Sequence, residues 1–137
     1  MIGVVVGTHG MFSEEIVKSS EMIFGKQENV SSVTFKPGEG VEHLVEKYKK
    51  AIEKLDCTDG ILFMVDLFGG SPFNAASMIA MNMEKAEIVT GVNLPMLLEV
   101  FGSKEFMSIT ELVNIAEGSG REAIKKLEKS QIDEEEL

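Results

Sequence analysis

Apolar residues along this chain follow two alternating rhythms. Four short runs, 2–6, 30–35, 61–65 and 87–92, are rich in β-branched or aromatic side chains and read as strands. The first and third are almost continuously hydrophobic, as strands covered on both faces should be. Between the runs the apolar spacing lengthens to three or four. Residues 13–24 open with Ser13 as a helix cap and Glu14 and Glu15 in the first turn, and stop at Gly25. Residues 41–55 put Val41, Leu44, Val45, Tyr48, Ile52 and Leu55 on one helical face. Residues 72–83 follow Ser71 as cap with Pro72 at the first helical position, and Met78, Met81 and Met83 read as core filler. Past residue 92, the stretch 96–101 is apolar and helical. Residues 108–129 begin with the capping box Ser108-x-x-Glu111. Gly118, Gly120 and a second box, Ser119-x-x-Glu122, make two helices there as compatible with the pattern as one.

This alternation of strand and helix predicts an α/β fold: a doubly wound, mainly parallel sheet with helices on both faces. No internal repeat or linker interrupts it, so residues 1–130 read as a single domain, followed by an acidic tail, 131–137, expected to be disordered. The N-terminal run Met1-Ile-Gly-Val-Val-Val-Gly-Thr-His carries no basic leader, and no stretch approaches the ~20 apolar residues of a membrane span. A soluble cytoplasmic protein is expected.

Charge narrows the possible partners. The 137 residues carry 23 acidic and 13 basic side chains, a net charge of −10, which argues against nucleic acid and anionic membranes. Residues 60–120 hold seven acids against only Lys85 and Lys104, yet this is a strongly apolar part of the chain. The single cysteine, Cys57, excludes a disulfide framework or thiolate cluster and has no activating histidine near it in sequence. Two histidines without a spaced carboxylate pair fit none of the usual ligand patterns, so no metal is expected and no cofactor is called for.

In an open parallel sheet, ligands bind beyond the carboxyl ends of the strands, where the strand order reverses. Gly7-Thr8-His9-Gly10 follows the first strand, and Asp66-Leu67-Phe68-Gly69-Gly70-Ser71-Pro72 follows the third. With strand order 2-1-3-4, His9 and Asp66 meet at that switch point. A neutral imidazole is a good nucleophile near pH 7. A neighbouring carboxylate fixes its tautomer and stabilises the cation formed on attack, while also raising its pKa. Gly69, Gly70 and Ser71, leading into a helix N-terminus, offer backbone N–H groups, the helix dipole and a hydroxyl to a dianion. Together these residues describe a histidine that takes and gives a phosphoryl group. Each also has a plain reading: a turn histidine, a capping aspartate, a good strand-to-helix turn. Their convergence on one sheet edge favours the functional reading. His43 reads as a solvated mid-helix residue between Glu42 and Glu46. A hydrolase built from Ser71, His9 and Asp66 lacks the Gly-x-Ser-x-Gly elbow.

The stretches Gly7-Thr-His-Gly10, Phe35-Lys-Pro-Gly38, Leu62-Phe-Met-Val-Asp-Leu-Phe-Gly-Gly-Ser-Pro-Phe-Asn-Ala-Ala76 and Gly91-Val-Asn-Leu-Pro-Met-Leu97 closely resemble the IIA component of the mannose family of the bacterial phosphoenolpyruvate-dependent sugar phosphotransferase system. The likeness runs from residue 2 to about residue 129. It implies a cytoplasmic phosphocarrier that accepts a phosphoryl group from HPr on His9, with Asp66 as the hydrogen-bonding partner of that histidine. Ser71, Gly70 and Gly69 would steady the group before it passes to a IIB component during sugar uptake. Met11, Phe12, Pro37 and Phe68 would face these partners. The resemblance also implies a homodimer in which an antiparallel edge strand is exchanged, a strand that the periodicity does not locate. Phe68 stands where close relatives often carry tryptophan, and the chain stops at Leu137 where many relatives continue into a IIB domain, so a stand-alone IIA protein is expected. Two other roles fit the same residues: a regulatory module switched by His9 phosphorylation, or a phosphoryl donor to a dihydroxyacetone kinase.

Overall fold

The computed structural model describes residues 1–131 together with 133 and 135. Its elements run β1 (Ile2–His9), α1 (Phe12–Phe24), β2 (Val30–Phe35), α2 (Val41–Glu53), β3 (Gly60–Val65), α3 (Ser71–Ala80), β4 (Ala86–Val89), α4 (Leu94–Ser103) and α5 (Ile109–Glu122), with a short 3-10 turn at Lys129–Gln131. The four strands are parallel, as the alternation predicts, and ordered β2-β1-β3-β4, the order that brings His9 and Asp66 together.

The central strands β1 and β3 are buried along almost their whole length, which explains their unbroken hydrophobicity. Alternate residues feed two separate cores. Val4, Val6, Leu62 and Met64 pack with Ile16, Leu97, Val100 and Leu112 beneath α1, α4 and α5. Val5, Ile61 and Phe63 pack with Leu44, Tyr48, Ala75 and Ala76 beneath α2 and α3. One layer of helices thus comes from the segments after β1 and β4, and the opposite layer from those after β2 and β3.

Several local expectations are corrected. Ser13 does not cap α1, which begins one residue earlier. Its N–H is instead received by the Thr8 hydroxyl at 2.6 Å, and its own hydroxyl donates to the Val33 carbonyl at 2.8 Å. Gly70, not Ser71, occupies the cap of α3, and Pro72 is the second helical residue. The helix reaches the sheet through Ala75 and Ala76, so its small residues form the contact while Met78 and Met81 face outward, 55% and 86% exposed; only Met83 packs against the core. His43 lies in the first turn of α2, where its Nδ1 accepts the Gly40 N–H at 2.8 Å.

The last helix is single and ends at Glu122. Gly120 does not break it: the glycine faces α4, where a Cβ would come 2.5 Å from Met96 Cε, and its carbonyl accepts from Asn93 at 3.0 Å. The Ser119 hydroxyl turns back to the Ala116 carbonyl instead of starting a second helix. Among the described residues there is no antiparallel strand in the sheet, so β2 and β4 form its edges. Much of the acidic tail lies outside the described residues. No helix among them is long and apolar enough to cross a membrane.

Candidate functional site

Parallel pairing of β1 with β3 sets Gly7 beside Val65, so the residues just beyond, His9 and Asp66, emerge at the same edge of the sheet. The chain after His9 turns through Gly10 at φ 59° into α1 on one face; the chain after Asp66 turns through Gly69 at φ 82° into α3 on the other. The gap between these diverging connections is the switch point of the sheet.

Asp66 Oδ2 accepts the backbone N–H of His9 at 3.1 Å and lies 2.9 Å from His9 Nδ1. A carboxylate oxygen accepts, so in the neutral ring this contact puts the proton on Nδ1 and leaves the lone pair on Nε2. The imidazole is 45% exposed and meets the edge of Phe35, whose ring centroid lies 5.8 Å away. Asp66 Oδ1 is buried and has no hydrogen-bond partner among the described residues. Its other oxygen, Oδ2, meets only His9 among the described residues.

Gly70 passes directly against the ring. A Cβ built on it would sit 2.9 Å from His9 Cε1 and 3.5 Å from Nε2. The N-terminus of α3 therefore adjoins the free side of the imidazole. The first N–H groups of a helix have no acceptor within it, and Pro72 contributes none, so Ser71 and Phe73 offer theirs outward. Ser71 makes no side-chain hydrogen bond among the described residues. Asn74 keeps the glycine turn in shape, its side chain donating to the Gly69 carbonyl at 3.2 Å and its N–H to the Gly70 carbonyl at 2.9 Å.

The turns that carry the site also carry exposed apolar side chains. Met11 and Phe12 follow the β1 turn and Phe68 the β3 turn, at 47%, 45% and 76% exposure, and Phe68 leans on Phe73 with ring centroids 4.6 Å apart. Pro37 is exposed in the loop after β2. That loop is tied down: Glu39 accepts from the Lys36 N–H and from Lys47, both at 2.7 Å, and these bonds hold its carboxyl below the usual range. Sequence reasoning missed Leu67, 57% exposed beside Gly70, and the supporting roles of Asn74, Thr8 and Phe35. An asparagine four residues past a helix cap is a signal available in the sequence; the Phe35 contact depends on strand pairing and is not. A cleft of about 720 Å³ opens elsewhere, at the other end of the sheet, and is lined by Met1, Asp59, Lys104 and Ser108 among others. His9 instead presents its ring on an open surface.

Known proteins match this chain over most of its length. A family model described as "PTS system fructose IIA component" covers residues 3–117. The mannose-specific EIIAB component of Escherichia coli K12 is 49% identical over 127 residues, which are 92% of this chain and 39% of that protein. The chain thus spans about two fifths of that relative's length. The fructose-specific EIIA component of Bacillus subtilis is 40% identical over 114 residues, 83% of this chain and 78% of that one. Among solved structures, the EIIA component from Streptococcus agalactiae superposes with a TM-score of 0.85 at 29% identity, covering 92% of this chain and 97% of its own.

Proposed function

The chain belongs to the mannose family of IIA components of the sugar phosphotransferase system, and from that premise we propose that it is a phosphocarrier whose His9 Nε2 accepts a phosphoryl group from HPr and delivers it to a IIB component. The observation that carries this reading is the contact of Asp66 with Nδ1, which engages that nitrogen and leaves Nε2 facing the α3 N-terminus.

In the forward step the Nε2 lone pair forms a bond to phosphorus as the bond to the donor histidine breaks in line, and the donor keeps that electron pair. The imidazole ring of His9 becomes cationic. Asp66, holding Nδ1–H, stabilises the new positive charge and keeps the ring oriented. The phosphoryl oxygens meet the N–H groups of Ser71 and Phe73, the Ser71 hydroxyl and the positive end of the α3 dipole. No lysine or arginine is needed to hold them. Transfer to a IIB histidine reverses the same geometry. The apolar rim of Met11, Phe12, Leu67 and Phe68 is the docking face, with Pro37 at its side. The protein acts in the cytoplasm as a homodimer, and the outer edge of β4, open in the single chain, is where a partner subunit's strand would pair.

Incubation with phosphoenolpyruvate, enzyme I and HPr tests this. An acid-labile, alkali-stable phosphate should appear on the wild-type chain and be absent from His9→Ala. Labelling that survives His9→Ala, or that only His43→Ala abolishes, overturns the assignment. Onward loss of label to a IIB protein is the second half of the test; label that stays in place rejects the carrier role.

A further inference from the structure

Tyr48 is the only tyrosine of the chain and is completely buried between α2 and the sheet. Its ring stands edge-on to Phe63 of β3, with centroids 5.3 Å apart. Its hydroxyl donates to the Pro72 carbonyl at 2.9 Å, in the first turn of α3. On β1 it lies against Gly7: a Cβ there would fall 2.1 Å from the phenol oxygen. One side chain thus touches the strand that ends in His9, the strand that leads to Asp66 and the helix turn that begins at Ser71.

Filling the core does not account for these contacts, since phenylalanine would supply the same ring. Nor does the Pro72 carbonyl require the hydroxyl, because a helical carbonyl is met by the N–H four residues on. A glycine inside a buried strand is also unfavourable by itself. Taken together the two features make sense: Gly7 clears space for a hydroxyl that ties α3 to α2 where both lie against β1, two residues from the site histidine.

We propose that the Tyr48 hydroxyl is a positioning group for the phosphoryl site, setting the distance between the His9 ring and the N-terminal turn of α3. This rests on the phosphocarrier reading above. Tyr48 touches neither the imidazole nor the phosphoryl group and moves no proton. Burial, reinforced by the charge of Asp66, pushes its phenol far above the ordinary range, so it remains an O–H donor wherever the histidine works. Because Gly70 already abuts His9 Cε1, even a small sliding of α3 changes where its N–H groups stand relative to Nε2.

The test compares Tyr48→Phe with wild type in phosphoryl transfer from HPr, well below either melting temperature. A positioning role predicts a kcat lower by about tenfold or more, with KM for HPr within about twofold. An unchanged kcat, or a loss confined to KM, overturns it. The second measurement leaves the hydrogen bond intact: growth on 3-fluorotyrosine labels position 48 alone, and its fluorine resonance should shift when His9 is phosphorylated. A resonance indifferent to phosphorylation overturns the proposal, including where Tyr48→Phe fails to fold. A wild-type chain that takes no label fails the phosphocarrier reading itself, and the positioning role with it. A labelled wild type with an unaffected variant removes only the role of Tyr48.

Discussion

Replacing Gly70 with alanine adds one methyl group at the point where α3 meets the imidazole. Its backbone, at φ −76° and ψ 171°, is open to any residue, so no strain arises from conformation. The collision does: the new Cβ stands 2.9 Å from His9 Cε1, where carbon atoms ordinarily rest about 3.5 Å or more apart. Something must move by roughly half an ångström. The ring is held by a 2.9 Å contact to Asp66 and faces Phe35, so it yields by losing that contact, or the first turn of α3 is pushed outward. Either way Nε2 and the helix N–H groups no longer converge as before. Misplacements of this order cost about 10- to 100-fold in rate. The stability cost is small, on the order of 0.5–1 kcal/mol for alanine in place of a capping glycine.

Gly69→Ala is the matched control. No atom lies within 4 Å of its Cβ position, but at φ 82° alanine is strained by about 1–2 kcal/mol. The order of effects should therefore invert: Gly69→Ala loses more stability in urea titration, whereas Gly70→Ala loses more rate in rapid-quench phosphoryl transfer. A Gly70→Ala protein that folds normally and transfers at the wild-type rate refutes the proposed geometry.

Asp66→Asn should leave the circular dichroism spectrum unchanged while slowing transfer by about 100-fold or more, because an amide neither fixes the required tautomer nor balances the imidazolium; a wild-type rate removes Asp66 from the mechanism. Acid should weaken the α5 cap. Glu111 accepts the Ser108 N–H at 3.1 Å, and hydrogen bonds from Ser108 hold its carboxyl below the ordinary range. A group depressed on folding adds stability above its unfolded pKa and loses that contribution as pH falls through the folded value. Glu111→Gln keeps an acceptor with no charge to titrate, so its melting temperature should fall less than that of wild type below about pH 5. Parallel curves would remove Glu111 from the acid response.

Burial on both sides of a strand is what the sequence conveys well. The runs 2–6 and 61–65 can be placed at the centre of the sheet because a short stretch that is hydrophobic without alternation needs cover on both faces. That placement brings His9 and Asp66 to one edge. Information carried by approach distance is not legible. Gly120 looks like a helix breaker along the chain but fits against Met96, and Met78 and Met81 look like core while Ala75 and Ala76 occupy that position. Residue type alone marks Ser13 and Ser71 as caps. In the structure, the Thr8 hydroxyl receives the Ser13 N–H, and Gly70 occupies the cap of α3. Along the chain Tyr48 is only one member of an apolar face, because the partner of its hydroxyl is 24 residues away.

The open setting of the His9 ring has a kinetic consequence. In the phosphocarrier role proposed above, donor and acceptor would reach the same nitrogen over the same apolar rim, so one would have to leave before the other arrives, and residence time would limit throughput. A carrier turning over on the order of 100 times per second needs complexes that last no longer than about 10 ms. With association near 10⁷ M⁻¹s⁻¹, that corresponds to dissociation constants of about 10 μM or weaker for both partners. The handful of exposed side chains around the ring suits such brief encounters, and a mutation that tightened docking would slow the relay.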